Sequence, residues 1–324
     1  MEVIVKFLKA QMKRREFNIL VLVLAVIVIL SFSSRYFLTI NNFKAVGIGF
    51  AIDGLLLIGM TMVLVTAGVD LSIGSIMGFA AMLNANLFFN MGWNIWPAAL
   101  MAVIVGMALG AVNGFMIGKV GITPLIATLA MMGMARGLTY VITQGATVPV
   151  SSSSPSFLRL GGGDIGGIPI LIIIFIVFIV VFDIITRRML LFRNMYYTGS
   201  NEKSASLSGI NVEKTKIITY ILSGTLCGLA GVLTLSRFTV ATPNSGVGAE
   251  MRIISACVIG GASLSGGMGT VMGSVLGLVL LSIINNGLIL LDVSIYWQDF
   301  ISGAILLAAV TMDTVSTKRA RLKI

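Results

Sequence analysis

The sequence predicts an all-α polytopic membrane protein with about ten transmembrane helices. Of its 324 residues, 57% are hydrophobic and only 10% are charged, where a soluble domain carries about a quarter. Apolar runs of about twenty residues recur along the whole chain, each long enough to cross about 30 Å of hydrocarbon. Helices are the form such runs take, because an open sheet in lipid leaves its backbone groups unpaired. The net charge of +10 comes from Lys and Arg clustered at the chain ends and between apolar runs, the pattern of cytoplasmic loops rather than of a nucleic-acid face.

Turn and charge signals divide the runs at roughly 18–34, 45–66, 72–90, 96–118, 123–143, 168–186, 217–236, 252–264, 270–291 and 297–315. The first follows the basic stretch "KAQMKRR" and lacks a small-residue cleavage site, so it is expected to stay as a span. The eighth is too short to cross alone and is interrupted by "GGASLSGG", which is tolerated where the chain faces protein or a water-filled cavity. The whole chain, 1–324, reads as one transmembrane domain.

Orientation follows from the basic residues. Lys6, Lys9, Lys13, Arg14 and Arg15 precede the first run, and Lys318, Arg319, Arg321 and Lys323 follow the last. Both ends are therefore expected in the cytoplasm, which requires an even number of crossings. Threading ten spans places Lys119 inside, with a basic loop over about 187–216. It places the Ser/Gly-rich stretch 144–167 outside, where Gly161 reads as a neutral position. A faint internal echo links "GMALGAVNG" (Gly106 to Gly114) with "GSVLGLVLLSIINNG" (Gly273 to Gly287). Each has small residues four apart followed by Asn-Gly, as inverted repeats around a substrate path would show.

Several chemistries are excluded. The chain has no histidine, which closes off histidine bases and histidine-rich zinc sites. It has no GxxxxGK[ST] loop to cradle a nucleotide and no GxSxG. Cys227 and Cys257 sit in apolar runs and read as packing residues. Carboxylates in or near the spans are few: Asp53, Asp183, Asp313 and, in "TAGVDLSIGS", Asp70. An ionisable group there is a functional candidate. Asp70 reads either as a solute contact or as a structural and gating cap in a Gly68–Gly74 turn, accepting the N–H groups at Leu71–Ser72. The threading puts it near the cytoplasmic end of its spans. Neutral polar residues that can meet a hydroxylated solute are Ser72, Ser75, Asn84, Asn86, Asn113, Thr128, Asn285 and Asn286, each of which can equally serve as an interhelical hydrogen bond. Asn113 and Asn286 are expected to face a central path together.

The loop "YYTGSNEKSASLSGINVEKTK" (Tyr196 to Lys216) predicts a short helix of about eight residues. Asn201 caps it, Glu202 lies in its first turn, and Gly209 ends it in the left-handed conformation. Ala205, Leu207 and Ile210 read as a docking face for a soluble partner.

This loop, with "GVDLSIGS", "NGFMIGKVGITPLIATLAMMGMARGLTYVITQGATVPV", "VIGGASLSGGMGTVMGSVLG" and "NNGLILLDVSIYWQDFISGAILLAAVTMD", resembles the permease subunits of ribose-type monosaccharide ABC transporters over roughly residues 30–315. The resemblance implies a vitamin B12-importer-like (type II) permease fold with inverted repeats, in the bacterial inner membrane, without a catalytic site. It implies ATP and Mg bound by separate cytoplasmic ATPase subunits, an external sugar-binding protein, and a second permease copy or homologue. Gly199, Asn201, Ala205, Leu207, Ser208, Gly209 and Ile210 are then the ATPase-coupling residues. Three positions depart from the family pattern: Ser204 for Ala, Ala67 for Gly, and Asp292 for a small residue. The other functions left open are an ion-coupled secondary carrier, the same ABC architecture carrying autoinducer-2 or a nucleoside, and a membrane-embedded enzyme.

Overall fold

Each of the ten apolar runs coincides with a helix in the computed structural model, which describes residues 15–321. Lys6, Lys9, Lys13, Arg14 and Lys323, on which the orientation partly rests, lie outside the described residues. The helices are α1 (Arg15–Ser33), α2 (Ile40–Val65), α3 (Ile73–Phe89), α4 (Ile95–Phe115), α5 (Pro124–Thr143), α6 (Pro155–Gly162), α7 (Ile170–Arg188), α8 (Leu190–Ser200), α9 (Glu202–Leu207), α10 (Val212–Phe238), α11 (Ala249–Ile259), α12 (Val271–Leu290) and α13 (Ile295–Arg321). A π-turn over Met116–Val120 extends α4. Among the described residues, six helices are long and apolar enough to cross a membrane: α2, α4 with its π-turn, α5, α7, α10 and α12. Helices α3 and most of α1 are apolar but shorter, and α11 has only 11 residues.

The ends of these helices follow local chemistry. Thr39, Asn94, Asn211 and Thr270 each precede a helix and accept a backbone N–H of its first turn, at Asn42, Trp96, Lys214 and Gly273 respectively. At the far end of α2, Gly68 N donates to Val63 O and Ala67 N to Leu64 O, the paired bonds of a Schellman end with Ala67 in the left-handed position (φ 59°). Helix α12 closes the same way: Val293 N donates to Leu288 O and Asp292 N to Ile289 O, with Asp292 at φ 56°. Two of the three departures from the family pattern therefore fall where the backbone itself favours glycine.

Helix α10 runs through the centre and packs on α2, α3, α4, α6 and α8. Gly106, Gly110, Gly114 and Gly118 form one stripe along α4 and its π-turn, and each would drive a Cβ into the backbone of α10. Gly224 and Gly228 answer from α10 with the same closeness. In α12, by contrast, Gly273 and Gly277 pack on Gly260 and Ala256, at the end of the preceding helix α11. The two halves of the sequence echo thus serve different kinds of neighbour. Two short ribbons complete the fold: β1 (Val148–Pro149) pairs antiparallel with β4 (Val240–Ala241), with Val148 and Ala241 buried against α3, α4 and α10. A second ribbon, β2 (Asp164–Ile165) with β3 (Ile168–Pro169), turns on Gly166 and Gly167, both at positive φ. Cys227 and Cys257 are free and buried.

Ala67 sets up the first prediction. A left-handed L-residue costs about 1–2 kcal/mol, while glycine gives back roughly 0.5–1 kcal/mol in chain entropy. Ala67→Gly is therefore expected to stabilise the protein by up to about 1 kcal/mol. Thermal unfolding in detergent checks it, as a small rise in midpoint.

Candidate functional site

The segment Thr66–Ser72 folds back into the bundle between α2 and α3. Asp70 is completely buried, and all its hydrogen-bond donors are neutral. Its Oδ1 accepts the Ser72 N–H at 3.0 Å and the Ser72 hydroxyl at 2.5 Å, and its Oδ2 accepts the Ser223 hydroxyl at 3.0 Å. Asn113 Nδ2 donates onward to Ser72 Oγ at 2.9 Å. The preceding carbonyl, of Val69, accepts from Thr128 Oγ1 and Tyr220 OH, each at 3.3 Å. One short linker is thus tied to α4, α5 and α10. Three donors on a carboxylate replace the counter-ion that a buried charge otherwise requires.

The linker joins the end of α2 to the start of α3 and is largely buried within the bundle. Ser223 sits about 16 Å along α10 from Val212 at 1.5 Å per residue. Tight packing draws the linker to that depth: Gly68 leaves room for the Tyr220 hydroxyl, and Gly74 approaches the backbone of Gly246 too closely for any side chain.

The other polar candidates separate. Ser75 is buried. Asn84 is fully buried, and both its polar side-chain atoms lack a partner among the described residues. Asn285 is half-buried. Asn286 exchanges reciprocal bonds with Asn42 of α2 at 2.8 and 3.0 Å. It therefore belongs to the α2–α12 contact, while Asn113 belongs to the Asp70 cluster. The two asparagines thus serve different contacts, each amide spent on a different neighbour.

The basic loop builds a second surface. Asn201 Oδ1 accepts Ser204 N at 2.9 Å to start α9, which has six residues. Gly209 N donates to Ser206 O and Ile210 N to Ala205 O, with Gly209 at φ 83°, a complete Schellman end. Lys216 Nζ meets Glu202 Oε1 at 2.5 Å and ties α9 to α10. Ala205, Leu207 and Ile210 do not share a face. Ala205 is buried and Leu207 is 90% exposed, because positions two apart on a helix point about 200° apart. The exposed face is instead Lys203, Ser206 and Leu207, which with Glu202 and Val212 line a shallow open hollow of about 470 Å³. Gly199 turns inward, with no space for a Cβ against the Val65 carbonyl. Ser208 closes the helix, its hydroxyl on Ser204 O. Beneath this surface, Tyr196 OH donates to Gly269 O at 2.8 Å, and burial pushes its phenol up from the ordinary value.

A third polar contact has only weak sequence signals. Arg136 breaks the apolar run of α5, and Glu250 and Arg252 precede the short eighth run. Arg136 Nη1 donates to Pro243 O at 2.5 Å and to Ser245 O at 2.9 Å, and Tyr140 OH donates to Asn244 Oδ1 at 2.9 Å. Arg252 lies 3.7 Å from Asp53. An arginine among apolar residues was the one signal that could have marked this contact.

The chain matches the family model described as "Branched-chain amino acid transport system / permease component" over residues 43–310. It is 37% identical over 297 residues to the ribose import permease protein RbsC of Escherichia coli (strain K12), covering 91% of this chain and 92% of that protein. It is 36% identical over 299 residues to the D-allose transport system permease protein AlsC of the same strain, covering 91% of each. It is 35% identical over 285 residues to that strain's L-arabinose transport system permease protein AraH, covering 88% and 86%. No solved structure matches the chain.

Removing the Ser223 hydroxyl leaves one oxygen of a buried carboxylate without its donor. Ser223→Ala is expected to cost about 1.5–3 kcal/mol, the range for hydrogen bonds to charged groups. Asp70→Ala, which strands three donors at once, is expected to cost more. Detergent unfolding and membrane yield of both variants measure the order.

Proposed function

The chain belongs to the branched-chain amino acid transport system / permease component family, and from that premise we propose that it is the permease subunit of an ATP-driven importer for a monosaccharide. The likeness to ribose, allose and arabinose permeases over most of the chain carries this reading. The relatives differ in sugar at nearly equal identity, so the class is monosaccharide rather than one pentose or hexose. An ion-coupled carrier is less favoured: Asp70 is held by three protein donors with no open side for a travelling ion.

In this reading the permease has ten spans in a type II, inverted-repeat arrangement, lies in the inner membrane with both ends cytoplasmic, and works with a second permease copy or homologue. ATP and Mg belong to separate ATPase subunits, and an external sugar-binding protein delivers the solute. The ATPase docks on the exposed Lys203–Ser206–Leu207 face of α9. Glu202 and Lys216 pass its movement to α10, and Ser223 and Tyr220 pass it on to the Asp70 linker. The catalytic step lies in the partner, so this subunit converts docking into a change of helix packing.

Gly209 tests the docking assignment. A Cβ there meets no neighbour within 4 Å, but a valine resists the left-handed backbone by about 1–2 kcal/mol. Gly209→Val is expected to insert normally while lowering ATPase co-purification and uptake about tenfold. Gly161 is unsuited as the neutral comparison, since it packs against the Ser236–Arg237 backbone. Gly162, with open space and an ordinary backbone, serves as the comparison. Wild-type partner binding and uptake in Gly209→Val would remove this loop from the docking role.

A further inference from the structure

Arg136 lies about 10 Å inside the C-terminal end of α5 at 1.5 Å per residue. It is half-buried. A charged group at that depth faces protein or a water-filled cavity, not lipid. Its two hydrogen bonds to the Pro243 and Ser245 carbonyls use a single nitrogen, Nη1. A guanidinium has five N–H donors, and those on Nε and Nη2 have no hydrogen-bond acceptor among the described residues. On α3, Gly74 and Gly78 occupy successive turns. Glu250 Oε2 lies beside the first and Arg136 Nη1 beside the second, so the two charges are neighbours without an ion pair among the described residues. One turn along α5, Tyr140 is 43% exposed and donates to the exposed Asn244. Gly133 and Gly137 continue this face of α5, and both are exposed with open space around them.

We propose that this face lines the solute path, with Arg136, Tyr140, Asn244 and Glu250 forming a station that hydrogen-bonds a neutral polyhydroxylated solute. The inference rests on reading the chain as a monosaccharide permease and deepens it by placing the contact. A sugar presents hydroxyls that donate and accept side by side. The station offers guanidinium and amide N–H donors, a carboxylate acceptor, and a phenol ring against which an apolar sugar face can lie. The opposite charges of Arg136 and Glu250 offset each other, so neither an anion nor a cation is favoured over a neutral guest. The loop that carries Asn244 is fixed in place by the backbone contacts of Gly246 with Gly74 and of Ser245 with Gly78.

The test uses the complete transporter, with its ATPase and binding protein, in membrane vesicles. Native Cys227 and Cys257 are buried, so single cysteines are introduced by Gly137→Cys, Asn244→Cys and, on the exposed face of α7, Val177→Cys. A charged, membrane-impermeant thiosulfonate is expected to label the first two and spare the third. Millimolar ribose, allose or arabinose is expected to slow labelling of Asn244→Cys several-fold. Vesicles that import sugar with ATP but leave both Gly137→Cys and Asn244→Cys unlabelled overturn the path assignment. Labelling that none of the three sugars slows overturns the sugar station. Uptake that needs no ATPase refutes the importer reading itself, and is scored separately from the labelling. As a second arm, Tyr140→Phe combined with Arg136→Lys is expected to change the relative uptake of the three sugars, and an unchanged ratio counts against the station.

Discussion

The close crossing of α4 on α10 is the constraint on which the rest depends. In lipid there is no hydrophobic gain from bringing two apolar helices together, so contact rests on dispersion and on hydrogen bonds between buried polar groups. Four glycines at one-turn intervals, Gly106 to Gly118, lay α4 and its π-turn against the backbone of α10. That approach fixes the height of Tyr220 and Ser223 relative to Asn113. It creates the set of donors that receives Asp70. Without such a fit, the carboxylate would carry the several kcal/mol cost of a buried charge unpaired. The glycine stripe and the aspartate are two halves of one solution.

Much of this was legible in the sequence, and the reasons differ by element. Apolar runs marked where ten of the helices lie, most of them because crossing a bilayer imposes such length and the short eighth because it stays apolar within the bundle. Local rules located the caps. Asn201 and Gly209 act within five residues of themselves, so their roles follow from neighbours in the chain. The same local geometry puts Ala67 and Asp292 at left-handed positions, which fits the Gly or small residue that the resemblance leads one to expect there.

What failed to be legible depends on long-range packing. The donors around Asp70 could not be read from the spans, because counting spans gives order but no packing partners, and its partner Ser223 on α10 lies about 150 residues away in sequence. The echo between Asn113 and Asn286 stops short for the same reason. A small-residue motif states that some backbone will come close, without saying whose. In α4 that backbone is α10, and in α12 it is the end of α11. Ala205, Leu207 and Ile210 were grouped as apolar residues at helical spacing, but positions two apart on a helix diverge, which sends Ala205 inward and Leu207 outward.

The positions of the charged groups give the architecture a division of labour. Asp70 is completely buried and spent on protein donors, and its linker is tied to three helices, which suits a joint that must hold its shape while its neighbours shift. Arg136 and Glu250 stand in the bundle without an ion pair among the described residues, and Gly133 and Gly137 leave open space along α5 beside Arg136. A fully satisfied polar group has nothing left to offer a passing solute, and a wholly unsatisfied one is too costly to keep at that depth. Half-satisfied groups on an accessible face meet both conditions, since water can occupy their free donors until a hydroxyl displaces it at little cost. On the proposed reading, the buried joint at Asp70 and the face offered to a solute are kept apart, with α3, which carries Gly74 and Gly78 just beyond Asp70, between them.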